Sequence, residues 1–325
     1  MGITNKRDVY KPFEYSKAYE FWEKQQGAHW HPFEVPMTKD ISDWNSNLSE
    51  GERNVIGQVL KSFTQTEIHV NDYWSQRVSR WFPKPEICMM ASAFAAMEAI
   101  HTTAYAYLND SLGLDEWDAF LKDPTAVAKL NRLQDTKGNS KREIARSLAV
   151  FSGCTEGVNL FSSFAILMSL SRSNLLDGLE TIVSWSARDE SLHSQAGCWL
   201  FNQLTEENPQ IMDDDFKDEI YDAFRLTVKL EDDFIDNAFS KGGVRNLTPE
   251  DLKVMIRERA NSKLHDIGLG ANWKRLDPDS LERMAWFQEV DMKNTDFFAK
   301  KVVDYFRSGY NVDNLFEGLD LNFVM

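Results

Sequence analysis

The sequence predicts an all-α fold: a bundle of long helices, further helices after it, and a flexible C-terminal tail. Three observations carry that expectation. Apolar residues recur at helical spacing over four long segments, and each segment holds a glutamate in the middle of its apolar stripe. The second and fourth segments each contain Glu-x-x-His, so the order is Glu67, Glu98 with His101, Glu156, then Glu190 with His193. Finally, 31 residues separate Glu67 from Glu98 and 34 separate Glu156 from Glu190, while both Glu and His of the two motifs recur 92 residues apart. Such spacing suits two antiparallel helical hairpins facing each other.

Taken in order, residues 1–48 form an N-terminal arm, with a short helix over Ser16–Gln25 and an irregular stretch where Pro32 and Pro36 interrupt regular structure. Ser49 with Glu52 three residues on reads as a capping box. From there Ile56, Leu60, Phe63, Glu67, Val70 and Trp74 share one face as far as Phe82, where Pro83 and Pro85 end the helix. The next helix spans about Glu86–Leu108, with Ile87, Ala91, Phe94, Glu98, His101, Tyr105 and Leu108 in line. A polar connection over 109–140, with a short helix near Asp115–Leu121, leads to Ile144–Ser171. That segment is apolar or small almost all round, which marks a central buried helix, and Glu156 is its only charge between Arg146 and Arg172. The fourth helix, about Leu175–Leu204, carries Glu190, His193 and Gly197 on one face, with Asp189 off it. Helices over Asp213–Ala238 and from Thr248–Pro249 to about Ile267 follow. The division expected is a helical domain over 1–290 and a flexible tail over 291–325.

An ionised carboxylate on a core face is costly unless paired or bound to a metal. On a helix, positions i and i+3 share a face, so each Glu-x-x-His can grip one ion. A single such motif is a weak signal; the set matches the ligand formula of ferritin-like dinuclear carboxylate proteins. Four carboxylates with two imidazoles suit iron or manganese better than zinc or copper. From the residues alone, Trp30 and Tyr105 read as packing aromatics.

A net charge of −15 argues against non-specific nucleic-acid binding and against an anionic membrane surface. Cys88, Cys154 and Cys198 are widely spaced and odd in number, as expected of free buried thiols in a reducing compartment. No apolar leader opens the sequence, and the apolar run Met89–Met97 is short for a span, so a cytoplasmic protein is expected.

The chain resembles the small, radical-generating subunit of class I ribonucleotide reductase over nearly its whole length. The residues that carry the likeness are Trp30-x-Pro32, Glu98-x-x-His101-x-x-x-Tyr105, Glu156, Ala187-Arg188-Asp189-Glu190-x-x-His193, and Phe297-Phe298-x-Lys300-x-Val302-x-x-Tyr305. The resemblance implies a homodimer with two metal ions per chain, Glu67, Glu98 and His101 holding one and Glu156, Glu190 and His193 the other. It also implies a partner, the large catalytic subunit, which binds the nucleotides and is docked by the C-terminal tail through Phe323. Tyr105 matches the tyrosine that holds a stable radical in many members. Trp30, Asp189 and Tyr305 match the relay toward the large subunit, with His101 its link at the metal. Glu67 stands where the best-known diiron members have Asp, a feature similar to manganese-containing subclasses. Fe/Fe with a tyrosyl radical, Mn/Fe and Mn/Mn centres all stay open on this pattern. A ligand-binding oxidase or desaturase would share the ligands without a use for Trp30 or the Tyr305 tail. A ferritin-like storage protein would be about half as long.

Overall fold

The computed structural model describes residues 2–114, 127–128 and 138–289, except for the side chains of 64–69. The elements are α1 (Ser16–Gly27), α2 (Thr38–Ser46), α3 (Glu50–Asp72), a π-helical turn (Tyr73–Val78), α4 (Ser79–Trp81), α5 (Pro85–Leu112), α6 (Lys141–Leu148), a π-helical segment (Ala149–Asn159), α7 (Phe161–Met168), a 3₁₀ turn (Ser169–Ser173), α8 (Asp177–Glu206), α9 (Asp214–Phe239) and α10 (Pro249–Asp266). A last helix, α11, covers 278–289. Among the described residues the β pairing is a single bridge between Val244 and Leu247. The fold is all-α, as the sequence predicts.

Local chemistry sets the helix ends. The Ser49 hydroxyl accepts from the Glu52 N–H while Glu52 returns a bond to the Ser49 N–H, closing the expected capping box. Ser140 and Glu143 form a second box at the start of α6. Gly113, at φ +70°, ends α5 in the left-handed conformation that suits glycine. Asp40 of α2 caps α8 from outside, accepting from the Gly178 and Leu179 N–H groups. The sequence pattern does not reveal α2, because Asp40, Asp43 and Trp44 are its buried side and two of them are acids.

The core is a four-membered bundle. α3 packs along α5, the π segment packs along α8, and α5 and α3 close against α8 and α7. The expected single helix over Ile144–Ser171 is helical throughout but passes from α through π to α and then 3₁₀. Every residue from Ser147 to Leu170 is buried, as its all-round apolar pattern requires. This stretch and Pro85–Leu112 are long and apolar enough to cross a membrane by length and composition alone, and here both are bundle helices. The π segment crosses α8 at near backbone contact. A Cβ on Gly197 would stand 1.7 Å from the Ser152 Oγ, so only glycine fits. That crossing places Glu156, one turn after Ser152, opposite His193, one turn before Gly197.

Cys154 and Cys198 are buried, and burial pushes the Cys198 thiol up to about 12. Cys88 is only half-buried, against the expectation for it, because it lies on the outer side of α5. The expected helix near Asp115–Leu121 and the tail over 291–325, with Tyr305, Phe316 and Phe323, lie outside the described residues.

Candidate metal centre

Three elements of the bundle deliver seven of the expected polar residues to its centre. α5 brings Glu98, His101 and Tyr105; the π segment brings Glu156; α8 brings Asp189, Glu190 and His193. All seven of these side chains are buried. Ligand atoms of Glu98, Glu156, Glu190 and His193 lie within 4.8 Å of one another, close enough to hold a metal ion. Glu67 lies on α3, and its side chain is outside the described set.

The two carboxylates of the Glu-x-x-His motifs sit between the two imidazoles. His101 Nδ1 is 3.0 Å from Glu98 Oε2 and 3.0 Å from Glu190 Oε1. His193 Nδ1 is 2.7 Å from Glu98 Oε1 and 3.9 Å from Glu190 Oε2. Among the described residues, neither oxygen of Glu190, nor Glu98 Oε1, nor His193 Nδ1 has a hydrogen-bond partner. Buried polar atoms are almost always bonded, so close approach without bonding geometry is the mark of atoms aimed at a shared cation. The donor set therefore fits a metal site of oxygen and imidazole ligands.

The electrostatics agree. Burial would raise Glu98, yet the imidazoles of His193 and His101 outweigh it and hold the carboxyl below its usual range. Burial would lower His101, but Glu98, Asp189 and Glu190 push it well above the ordinary imidazole value. Burial and the Glu98 charge raise Glu190. Crowded carboxylates of this kind call for positive charge among them.

The outer nitrogens of the two imidazoles meet different partners. His101 Nε2 is 3.4 Å from Asp189 Oδ2, and the same oxygen accepts the Trp30 indole N–H at 2.7 Å. Trp30 also stacks on His101, with centroids 5.9 Å apart and planes 27° apart. Arg188 holds the other Asp189 oxygen at 3.2 Å and anchors itself on the Ala28 carbonyl at 2.8 Å. His193 Nε2 is instead 3.0 Å from the amide oxygen of Gln25 on α1. With the outer nitrogens so engaged, Nδ1 of each ring is the atom left facing the carboxylates. Tyr105 is fully buried, its ring 6.4 Å from His101 and stacked on Phe63 at 4.7 Å.

Three neighbours went unassigned in the sequence pattern: Gln25, Trp74 and Arg188. Gln25 carried a usable signal, since Ala18, Phe21 and Gln25 are the buried side of α1 and a polar group ends that stripe. Trp74 donates its indole N–H to Glu156 Oε1 at 2.6 Å, a contact across the bundle that no local spacing encodes.

Comparison with known proteins bears on this geometry. The family model described as "Ribonucleotide reductase, small chain" matches residues 7–278. A probable ribonucleoside-diphosphate reductase small subunit of Invertebrate iridescent virus 3 is 32% identical over 94% of this chain and 86% of its own length. A ribonucleoside-diphosphate reductase subunit beta of Chlamydia pneumoniae is 27% identical over 92% of this chain and 90% of its own. Among solved structures, the R2 subunit from Clostridium botulinum superposes with a TM-score of 0.79 at 19% identity, covering 90% of this chain and 94% of that one. The dimanganese(II) NrdF of Streptococcus sanguinis gives a TM-score of 0.75 at 19% identity, over 86% and 99%. With its family match running from the N-terminal arm through α10, and with buried carboxylates and imidazoles gathered between its core helices, this chain belongs to the small-chain family of ribonucleotide reductase.

Proposed function

We propose that the chain is the radical-generating subunit of a ribonucleoside-diphosphate reductase, with two metal ions bound between α3, α5, the π segment and α8. Glu67, Glu98 and His101 serve one ion, and Glu156, Glu190 and His193 the other. Glu98 and Glu190, lying between the imidazoles, would be within reach of both ions. Such a pair, when bound, would supply the redox chemistry with an oxygen species that a one-electron oxidant requires. The chain's own residues direct it: Asp189 joins His101 to Trp30 by two hydrogen-bonding contacts, so electron and proton positions are coupled along one line. The observation that carries the proposal is the Trp30–Asp189–His101 connection ending at a carboxylate cluster; a storage site has no need of it.

Tyr105 lies near enough to His101 to hold an oxidising equivalent, and Phe63 and Phe164, stacked beyond it, are poor sites for one. Onward transfer runs to Tyr305 and the large subunit, docked by the tail over 291–325. A homodimer is supported by the outer face of α5, where Ser92, Ala96, Ala99 and Thr103 are exposed small residues. A cytoplasmic location fits a partner that works on free nucleotides.

Low-temperature electron paramagnetic resonance with metal analysis tests the reading, on protein loaded with iron, manganese or both. A narrow radical signal lost in Tyr105→Phe indicates a tyrosyl initiator. A manganese-coupled signal that survives it places the equivalent on the metals. No signal under any loading overturns the proposal. Tyr305→Phe should retain metal and signal and lose turnover with the large subunit.

A further inference from the structure

Besides the Trp30 line, a second line of indole and phenol rings leaves the site. On the opposite side, the Trp74 indole is fully buried and hydrogen-bonded to Glu156. Its ring lies 6.1 Å from Tyr73, edge to face at 89°. Tyr73 in turn lies 5.8 Å from Trp81 at 77°. Exposure rises along this line, from 0% at Trp74 through 2% at Tyr73 to 9% at Trp81. Aromatic packing alone would be served by phenylalanine at each place, as it is around Tyr105, where Phe63 and Phe164 stack in series. Here the rings are indole, phenol and indole, the side chains that give up an electron most readily. Contact is unbroken from a ligand carboxylate to the edge of the protein.

We propose that Trp81, Tyr73 and Trp74 form an electron-entry route to the Glu156 side of the centre, separate from the Trp30 relay. This rests on the radical-generating reading above. One electron passes from Trp81 across the Tyr73 ring to Trp74, refilling an indole that has given one electron to the oxidised centre. Trp81, left one electron short, releases its indole N–H proton to water. It is restored by one electron and one proton from a soluble one-electron reductant of the ascorbate class. Tyr73 acts as the bridging ring and keeps its proton: its hydroxyl pairs with Ser147 Oγ at 3.2 Å, and burial raises it well above an ordinary phenol. The Glu156 carboxylate, accepting the Trp74 N–H, stabilises a positive hole on that indole. The route would discharge equivalents that do not leave by Trp30, sparing the ligands from oxidation.

The test uses the full chain, loaded with metal and exposed to dioxygen without reductant, in the presence of a nitroso spin trap. Peptide mass spectrometry then locates the covalent adduct. The expected result is an adduct on Trp81 that falls to the metal-free background in W74F and is suppressed by ascorbate. An adduct on Trp81 at unaltered level in metal-loaded W74F would mean direct oxidation from solution and would overturn the route. Adducts at Trp30 alone would do the same while leaving the radical-generating reading intact. Absence of any radical in the unaltered, loaded protein would sink both. Should W74F fail to load, ring-deuterated tryptophan in the unaltered chain decides. A transient paramagnetic signal that narrows on deuteration, and is lengthened in W81F, supports the route; one indifferent to both overturns it.

Discussion

Glu86 and Glu190 are both fully buried carboxylates, and they live in opposite surroundings. Glu86, in the first turn of α5, receives Arg7 through both of its oxygens, together with the Glu14 and Tyr15 N–H groups. Burial alone would raise it, but these donors hold it below the usual range. Glu190 has no hydrogen-bond partner on either oxygen among the described residues, and burial with the neighbouring Glu98 charge raises it. Burial of an acid is therefore not what marks the site. The mark is a buried acid whose neighbours are other ligands rather than donors, so that the compensating charge has to come from outside the chain.

The comparison breaks most sharply at Glu98. Glu98→Ala removes the carboxylate lying between both imidazoles and should abolish stoichiometric metal binding, measured by elemental analysis after loading. The metal-free fold should survive, because His101 keeps Asp189 and Glu190 beside it when Glu98 is gone. If Glu98→Ala unfolds the metal-free chain, Glu98 is structural in the way Glu86 is.

Glu86→Ala should do the reverse. It leaves Arg7 and two backbone N–H groups without their acceptor and should cost about 3 kcal/mol. Metal stoichiometry should not change, and the loss should be the same with and without metal, as read from denaturant midpoints of both forms. A loss confined to the metal-loaded form would couple the N-terminal arm to the site.

A narrower version of the contrast lies inside the site, where one imidazole leans on a carboxylate and the other on a carboxamide. Asp189→Asn keeps a hydrogen-bonding group beside His101 but removes the charge that Arg188 and Trp30 hold in place. Turnover with the large subunit should fall about 10–100-fold with metal content retained. Gln25→Leu should instead weaken metal retention about 10-fold against a chelator and leave transfer per bound centre unchanged. Equal behaviour of the two variants would mean that both partners only orient their rings.

How much of this was legible beforehand follows from how local each signal is. Glu98, His101, Glu190 and His193 were legible because the three-residue spacing that joins them is a property of one helix, and the apolar stripe says which way they face. Glu156 was legible as a lone charge on an otherwise buried segment. The π segment around it was not, since the wider turn follows from packing against α8, α9 and α10 rather than from the residues within it. Gln25, Arg188 and Trp74 act across 168, 160 and 82 positions of sequence, and no period of 3.6 reports on such pairs. α2 was hidden for the same reason: its buried acids are satisfied by the start of α8, far along the chain.

The smallest effect expected separates ordinary ion pairing from the site by its pH dependence. Glu52 closes the capping box of α3 and also binds Arg245 through both oxygens, at 2.6 Å and 2.8 Å. Arg245 and the Ser49 donors hold its carboxyl at about 2, against a usual 4.5. Because the folded value lies below the unfolded one, the pair's contribution is complete above about pH 4.5 and is lost as pH falls toward about 2. Arg245 is 39% exposed, so Arg245→Ala should cost only about 1 kcal/mol at neutral pH. The difference in melting temperature between this variant and the unaltered chain should shrink across that acid window, in metal-free and metal-loaded protein alike. The metal-dependent part of stability should vanish at higher pH than this, because ligand protonation competes directly with the ion. If both parts of the profile fade together, the Glu52 pair is coupled to the centre through α3, and the division between donor-satisfied acids and metal-seeking acids would no longer hold along that helix.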